Sequence, residues 1–176
     1  MTPDPAGGPT DAEVLAFLQD AFEAARGGDA ARLSRMLDQG LPPNIRNTKG
    51  DTLLMLAVYH GHAEAARVLL TAGADPGIRN DNGQSPLEAA AFRGDLTAVN
   101  LLLDGGADLN AASPAGKTPL MMAAMFGRAD MVEALLARGA DLRARDAGGL
   151  SIPDAARMMG AHDLAAELDA RLAGEG

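Results

Sequence analysis

The hydrophobic and polar positions of the chain repeat every 33 residues and, within each repeat, recur at helical spacing. A short Ala-rich helix fits residues 54–59, 87–92 and 120–125. A second helix follows each one, and its apolar positions are Ala65, Val68 and Leu69 in one copy, Ala98, Leu101 and Leu102 in the next, and Met131, Ala134 and Leu135 in the third. The pattern therefore predicts successive pairs of short helices, each helix with one apolar stripe.

Glycines and hydroxyl residues mark where these helices begin and end. Thirteen of the 21 glycines form three ladders with the same period: Gly50, Gly83, Gly116 and Gly149; Gly28, Gly61, Gly94, Gly127 and Gly160; Gly40, Gly73, Gly106 and Gly139. A Ser or Thr two places after each glycine of the first ladder is expected to cap a helix N-terminus, and Pro follows it in two copies. The other two ladders are expected to end helices. A helix pair of this kind cannot bury both stripes alone, so neighbouring copies must stack into a solenoid.

The repeated segments Gly-x-Thr-Pro-Leu, Gly-His and Leu-Leu-x-x-Gly-Ala-Asp resemble the ankyrin repeat family over residues 47–145. The resemblance implies an all-α solenoid of about five helix pairs with short β-turn or hairpin tips. We expect disordered tails at 1–9 and 174–176 and one domain over 10–173. Its predicted parts are an N-terminal capping pair (10–46), three repeats (47–79, 80–112 and 113–145) and a C-terminal capping repeat (146–173). Thr10 and Glu13 form a predicted capping box at its start.

One departure from the family pattern concerns contacts between repeats. Many members carry a His just after the Pro-Leu pair, where its ring can bond to the neighbouring loop. In this chain Met55, Glu88 and Met121 occupy that place. The inter-repeat bond is therefore expected to be absent or replaced.

Composition excludes several functions. The chain has no Cys, so it has no disulfide, thiol nucleophile or cysteine metal site. A net charge of −9 argues against nucleic-acid or membrane binding. The first ten residues lack a secretory signal pattern and no apolar run is long enough to span a membrane, so we expect a cytoplasmic protein.

No constellation in the sequence supports catalysis or a cofactor. Gly116-Lys117-Thr118 resembles part of a phosphate-binding loop, but Ala111 replaces its first glycine. His60 and His62 are the only close histidines, and a metal site needs three or four ligands. We expect no metal, no cofactor and no enzymatic activity.

The family resemblance implies that a partner binds the concave face, which is formed by the turn tips and the exposed positions of each first helix. Three of the five aromatic residues, Tyr59, Phe92 and Phe126, fall on those helical positions. With Met125 and Met158 they suggest a hydrophobic contact strip. The alternative is that these side chains fill gaps between repeats. The candidate binding residues are Arg46, Lys49, Asp51, Tyr59, His60, Arg79, Asp81, Phe92, Arg93, Lys117, Met125, Phe126, Arg145 and Met158.

Charge on this face differs in sign from the whole chain. Six basic residues (Arg46, Lys49, Arg79, Arg93, Lys117 and Arg145) face three acidic ones (Asp51, Asp81 and Asp146), which gives +3 and leaves −12 for the remainder. The sequence therefore predicts a monomeric, non-catalytic protein-interaction module whose partner presents an acidic or apolar segment. A dedicated inhibitor or protective partner of a single enzyme is the open alternative.

Overall fold

The computed structural model describes residues 8–174, which contain ten α-helices and no β-strand. The helices are α1 (Asp11–Gly27), α2 (Ala30–Asp38), α3 (Leu53–Tyr59), α4 (Ala63–Thr71), α5 (Pro86–Arg93), α6 (Leu96–Asp104), α7 (Pro119–Met125), α8 (Ala129–Ala137), α9 (Ile152–Met158) and α10 (His162–Gly174). The predicted all-α fold of five helix pairs is confirmed. Most of both predicted tails lies outside the described residues, and Gly174 is the last residue of α10 rather than part of a tail.

Side-chain hydroxyl groups cap the helices as predicted. The four residues that begin α3, α5, α7 and α9 in this way each accept a hydrogen bond from the backbone N–H three residues on, at 3.1–3.2 Å; they are Thr52, Ser85, Thr118 and Ser151. Thr10 and Glu13 form the predicted capping box at α1, and Ser85 and Glu88 form another at α5. Each cap contributes about 1 kcal/mol by satisfying N–H groups that have no partner inside the helix.

Backbone conformation confirms the three glycine ladders. Within residues 8–174, positive φ angles occur at the thirteen ladder glycines and at no other residue. Side chains other than hydrogen rarely adopt this conformation, so the repeated glycines are required for the sharp ends of helices and turns.

The core consists of columns of equivalent residues that run along the solenoid. In the second helices one leucine of each pair is fully buried: Leu33, Leu69, Leu102, Leu135 and Leu168. In the first helices the column consists of alanines that are at most 2% exposed: Ala24, Ala57, Ala90, Ala123 and Ala156. Each buried leucine contributes about 2 kcal/mol. The alanines leave room for the first helices to pack closely against one another.

Stacking of the helices leaves one surface open for binding. The first helices pack in the order α1, α3, α5, α7 and α9, while α2, α4 and α6 form a second row behind them. Four turns precede α3, α5, α7 and α9 at 46–51, 79–84, 112–117 and 145–150, and the first and last contain isolated antiparallel bridges. The turns and the first helices together bound the open surface.

Candidate functional site

Polar side chains near the start of each turn fix its backbone. The side-chain oxygen accepts backbone N–H groups two and four residues further on in three of the turns, at 2.8–3.1 Å, and the residues are Asn47, Asn80 and Asp146. In the third turn the smaller Ser113 accepts only from the N–H of Lys117, at 3.2 Å. These local bonds hold the turns in one conformation.

Three of the predicted binding arginines also hold the turns. Arg46, Arg79 and Arg145 each donate to the carbonyl of the glycine four residues on, at 2.7–3.0 Å. Arg46 continues to the next turn, where it bonds to the carbonyl of Arg79 at 3.1 Å and to Asp81 at 3.0 Å. The equivalent position in the third turn is Ala112, which cannot make these bonds.

Arg79 also accounts for the residue that replaces the family's histidine in its repeat. Its guanidinium donates to Glu88 Oε1 at 2.8 Å and to the carbonyl of Ala111 in the next repeat at 3.3 Å. The Glu88 side chain is only 5% exposed, so this is a buried ion pair. The sequence left open whether the bond to the next loop is absent or replaced; here an arginine supplies a substitute.

A concave groove of about 810 Å³ lies between the turns and the first helices. Its lining side chains include seven of the predicted binding residues: Lys49, Asp51, Tyr59, His60, Phe92, Lys117 and Phe126. Further lining residues that were not predicted include Arg26, Asn47, Leu56, Asn80, Asn82, Gln84, Glu88, Ala89, Ser113 and Met122. We call this surface the concave groove.

Three aromatic side chains of the concave groove are substantially exposed. Tyr59 is 52% exposed, Phe92 40% and Phe126 39%. The rings of Phe92 and Phe126 meet edge to face with centroids 4.6 Å apart, so residues from neighbouring repeats form one continuous aromatic surface. Phe17 and Phe22, in contrast, pack against the core within the N-terminal pair.

The other seven predicted residues lie outside the groove lining. Arg46, Arg79 and Asp81 are used in the bonds between turns, and Arg145 bonds within the last turn. Arg93 is exposed at the end of α5. Met125 is half-buried against the core, and Met158 is 75% exposed in the terminal repeat.

Two of the residues missed by the prediction follow the period of the sequence. Arg26 lies 33 residues before Tyr59, so it continues the same ladder into the N-terminal pair. Met122 lies three residues before Met125, which is one helical turn away on the same face. Extending the ladder by one repeat and by one turn would have identified both.

The charge of the concave groove is less positive than predicted. Arg26, Lys49 and Lys117 are its basic side chains, while Asp51 and Glu88 are acidic. The sequence count omitted Glu88. The count also included arginines whose guanidinium groups are bonded within and between the turns.

Neither the histidines nor the repeated aspartates form a reactive site. The His62 ring does not cap its own loop; its Nε2 lies 2.8 Å from the carbonyl oxygen of Arg26, so it links two repeats. Asp75, Asp108 and Asp141 accept the backbone N–H two residues on, which is a role in loop structure. Within residues 8–174, no cluster of three or more potential metal ligands occurs.

A second cavity, of about 530 Å³, lies near α8 and α10 and differs in character. Its lining contains no aromatic side chain. Arg171, one of its charged residues, is bonded to Glu133 at 2.6 Å and to Glu167 at 2.7 Å. Those two carboxylates raise the pKa of Arg171, so its charge is held within the protein. The concave groove is the better candidate for binding.

The fold and the site define a helical-repeat solenoid with rigid turns and an aromatic concave surface. The family model for ankyrin repeats (three copies) matches residues 21–113 and 69–146. These matches together cover more than half of the chain, which therefore belongs to the ankyrin repeat family. The resemblance found in the sequence is confirmed.

One relative has a name that agrees with this family. A Pseudomonas aeruginosa protein named as an ankyrin repeat protein is 56% identical to this chain over 58 residues. The match covers 33% of this chain and 34% of that protein, so it spans about a third of the length of the curated relative. Ankyrin repeats generally mediate protein–protein interaction, and the family is typically non-catalytic.

A separate observation concerns membranes. Over residues 8–174, no helix combines the length and the apolar character needed to cross a bilayer.

Proposed function

We propose that this chain is a non-catalytic binding module whose concave groove receives a segment of a protein partner. The observation that carries the proposal is the exposure of Tyr59, Phe92 and Phe126 on one continuous surface. Aromatic side chains are enriched at the centres of protein interfaces, where each buries a large area with few rotatable bonds. An exposed cluster of three in a chain with five aromatic residues favours a role in binding.

Rigidity of the groove walls supports the same proposal. Asn47 and Asn80 fix the backbones of the first two turns, and Asn80 also donates to Asp51 across the turns at 2.9 Å. A surface held in this way loses little conformational entropy when a partner docks, so more of the contact energy contributes to affinity. The edge-to-face contact of Phe92 with Phe126 orders the aromatic surface in the absence of a partner.

The proposal is tested by comparing two matched surface substitutions. Phe92→Ser removes a groove aromatic that is 40% exposed, and Leu96→Ser removes an apolar side chain of similar exposure, 38%, outside the groove. Both positions are at the surface, so both variants should remain folded, which circular dichroism checks. Binding through the groove predicts that only Phe92→Ser weakens partner association, by about tenfold or more.

The partner is located with a photo-crosslinking amino acid. The label is placed at His60, an exposed residue in the groove, or at Thr97, an exposed residue of α6 outside it. In a lysate of the source organism, a groove partner should crosslink from position 60 and not from 97, and Phe92→Ser should abolish the product. A product formed equally from both labels, or insensitive to Phe92→Ser, would contradict the proposal.

A further inference from the structure

The two lysines of the chain, Lys49 and Lys117, both line the concave groove. Neither side chain forms an ion pair or a hydrogen bond with any residue in the range 8–174. Other cations without an ion pair in this range, such as Arg93 and Arg128, lie outside the groove lining. The groove therefore holds two ammonium groups that the folded chain leaves uncompensated.

The carboxylates of the same groove have partners. Asp51 accepts hydrogen bonds from Asn47 at 3.2 Å and from Asn80 at 2.9 Å. Glu88 accepts from Arg79 at 2.8 Å and from the backbone N–H of Ser85 at 3.2 Å. An incoming ligand consequently meets acidic groups that are already bonded and basic groups that are not.

Resting on the proposed groove function, we propose that the partner segment is an extended, acidic stretch of protein chain with an apolar side chain between two carboxylates. Lys49 and Lys117 would each pair with one carboxylate. Between them the second turn presents the uncharged Asn82 and Gln84, with Phe92 below. An apolar residue of the segment would contact that aromatic surface.

The expected spacing of the two carboxylates follows from the geometry of the stack. Lys49 lies in the first turn and Lys117 in the third, so they are two repeats apart. Packed helices are separated by about 8–10 Å, which places the two turns roughly 16–20 Å apart. An extended chain rises about 3.3 Å per residue, so the carboxylates should be about five to six residues apart.

The same charges favour a protein segment over a nucleic acid. A nucleic-acid strand carries a phosphate at every nucleotide and is bound by a row of cations. The groove offers two separated lysines in a chain whose net charge is −9, which repels a polyanion at long range. A segment with two spaced carboxylates matches the groove without that repulsion.

The matched variants come from the repeat itself. Lys49→Asn and Lys117→Gln replace each lysine by the residue that the second turn carries at the same position, Asn82 and Gln84 respectively. Both replacements are therefore compatible with the turn. Lys49→Arg with Lys117→Arg retains the charge and serves as the rescue variant.

The experiment is a selection of random twelve-residue displayed peptides on the full chain, followed by fluorescence anisotropy of the enriched peptides. We expect peptides with two acidic residues about five or six apart and an apolar residue between them. Loss of two partly exposed ion pairs should weaken their binding roughly tenfold in the Lys49→Asn/Lys117→Gln variant. The arginine variant should bind as the unaltered chain does. High salt should weaken the unaltered chain more than the neutral variant.

The outcomes separate this inference from the proposed function. Enriched peptides that are neutral or basic, and that lose affinity in Phe92→Ser but not in the lysine variant, would overturn the acidic segment and keep the groove. Peptides insensitive to both changes would overturn both proposals, and failure to enrich any peptide would overturn an extended segment. Lysine-dependent binding of a ten-nucleotide oligothymidine, with no acidic peptide enriched, would replace the protein segment by a nucleic acid.

Discussion

Arg79 makes the most extensive set of bonds in the turns, and removing it tests whether the buried carboxylate depends on it. Its guanidinium bonds to Gly83 and Glu88 in its own repeat and to Ala111 in the next. Arg79→Met keeps most of the apolar stem but leaves the Glu88 carboxylate, whose side chain is 5% exposed, without its cation. Breaking a buried ion pair by removing one member costs about 3–5 kcal/mol, so we expect a loss of that size.

Arg46 provides a matched control because it has the equivalent position one repeat earlier. It bonds to Gly50, Arg79 and Asp81, but its pair with Asp81 is exposed, with side-chain exposures of 46% and 63%. Solvent screens such a pair, whose contribution is about 0–1 kcal/mol. Including the lost carbonyl bonds, Arg46→Met should cost about 1–2 kcal/mol.

The double variant Arg79→Met/Glu88→Met separates an unpaired charge from lost packing. It removes both charged groups and replaces them with apolar side chains of similar size, which is often close to neutral. The remaining cost is the cap bond from the N–H of Ser85 and the freed carbonyls, about 1–2 kcal/mol in all. The double variant should therefore be more stable than Arg79→Met alone.

Urea unfolding at 25 °C, followed by circular dichroism, measures these differences. Hydrogen exchange of the α5 amides supplies a local value, since repeat arrays do not always unfold in one step. The reasoning is refuted if Arg79→Met costs no more than Arg46→Met. It is equally refuted if the double variant is less stable than the single one.

Two further expectations concern a turn and a helix cap. Gly116→Ala should be destabilised by about 1–2 kcal/mol from its φ of +77° and by a further ~1–3 kcal/mol because a Cβ would lie 2.4 Å from the backbone N of Ala147, whereas Gly139→Ala, with φ of +90° and nothing within 4 Å, should show only the first cost; thermal and urea unfolding compare them. The pKa of Glu13 is lowered by hydrogen bonds from the backbone N–H and the hydroxyl of Thr10, so this cap stabilises the fold above the ordinary carboxyl pKa and is lost as the pH falls through the lowered value. In Thr10→Val the pKa of Glu13, measured by NMR titration, should move back towards its ordinary value, and an unchanged pKa would contradict this assignment.

The helices and their limits could be predicted because they depend on residues close in the sequence. A hydroxyl such as Thr52 or Ser85 caps the helix that begins at the next residue, and a glycine such as Gly94 ends one through its own φ angle. These signals recur every 33 residues, so one copy supports the interpretation of the next. Burial of the leucine column follows from the same period.

The role of each charged side chain could not be predicted in the same way. Arg79 and Lys117 are both basic residues in turns, and nothing local shows that the first bonds into the next repeat while the second points into an open groove. Glu88 occupies a position held by Met in neighbouring repeats, and its burial depends on Arg79, nine residues earlier. Such roles depend on how repeats are placed against each other.

The difference between arginine and lysine explains which charges remain available for a partner. A guanidinium has several N–H donors in one plane, so Arg46 can bond to two carbonyl oxygens and a carboxylate at once. An ammonium group is compact and strongly hydrated, and it has no comparable geometry for joining adjacent turns. Arginines at the repeat period consequently hold the turns together. Counting every cation as a binding charge therefore overestimates the charge of the concave groove, whereas the two lysines, which hold nothing together, indicate where a partner's carboxylates should lie.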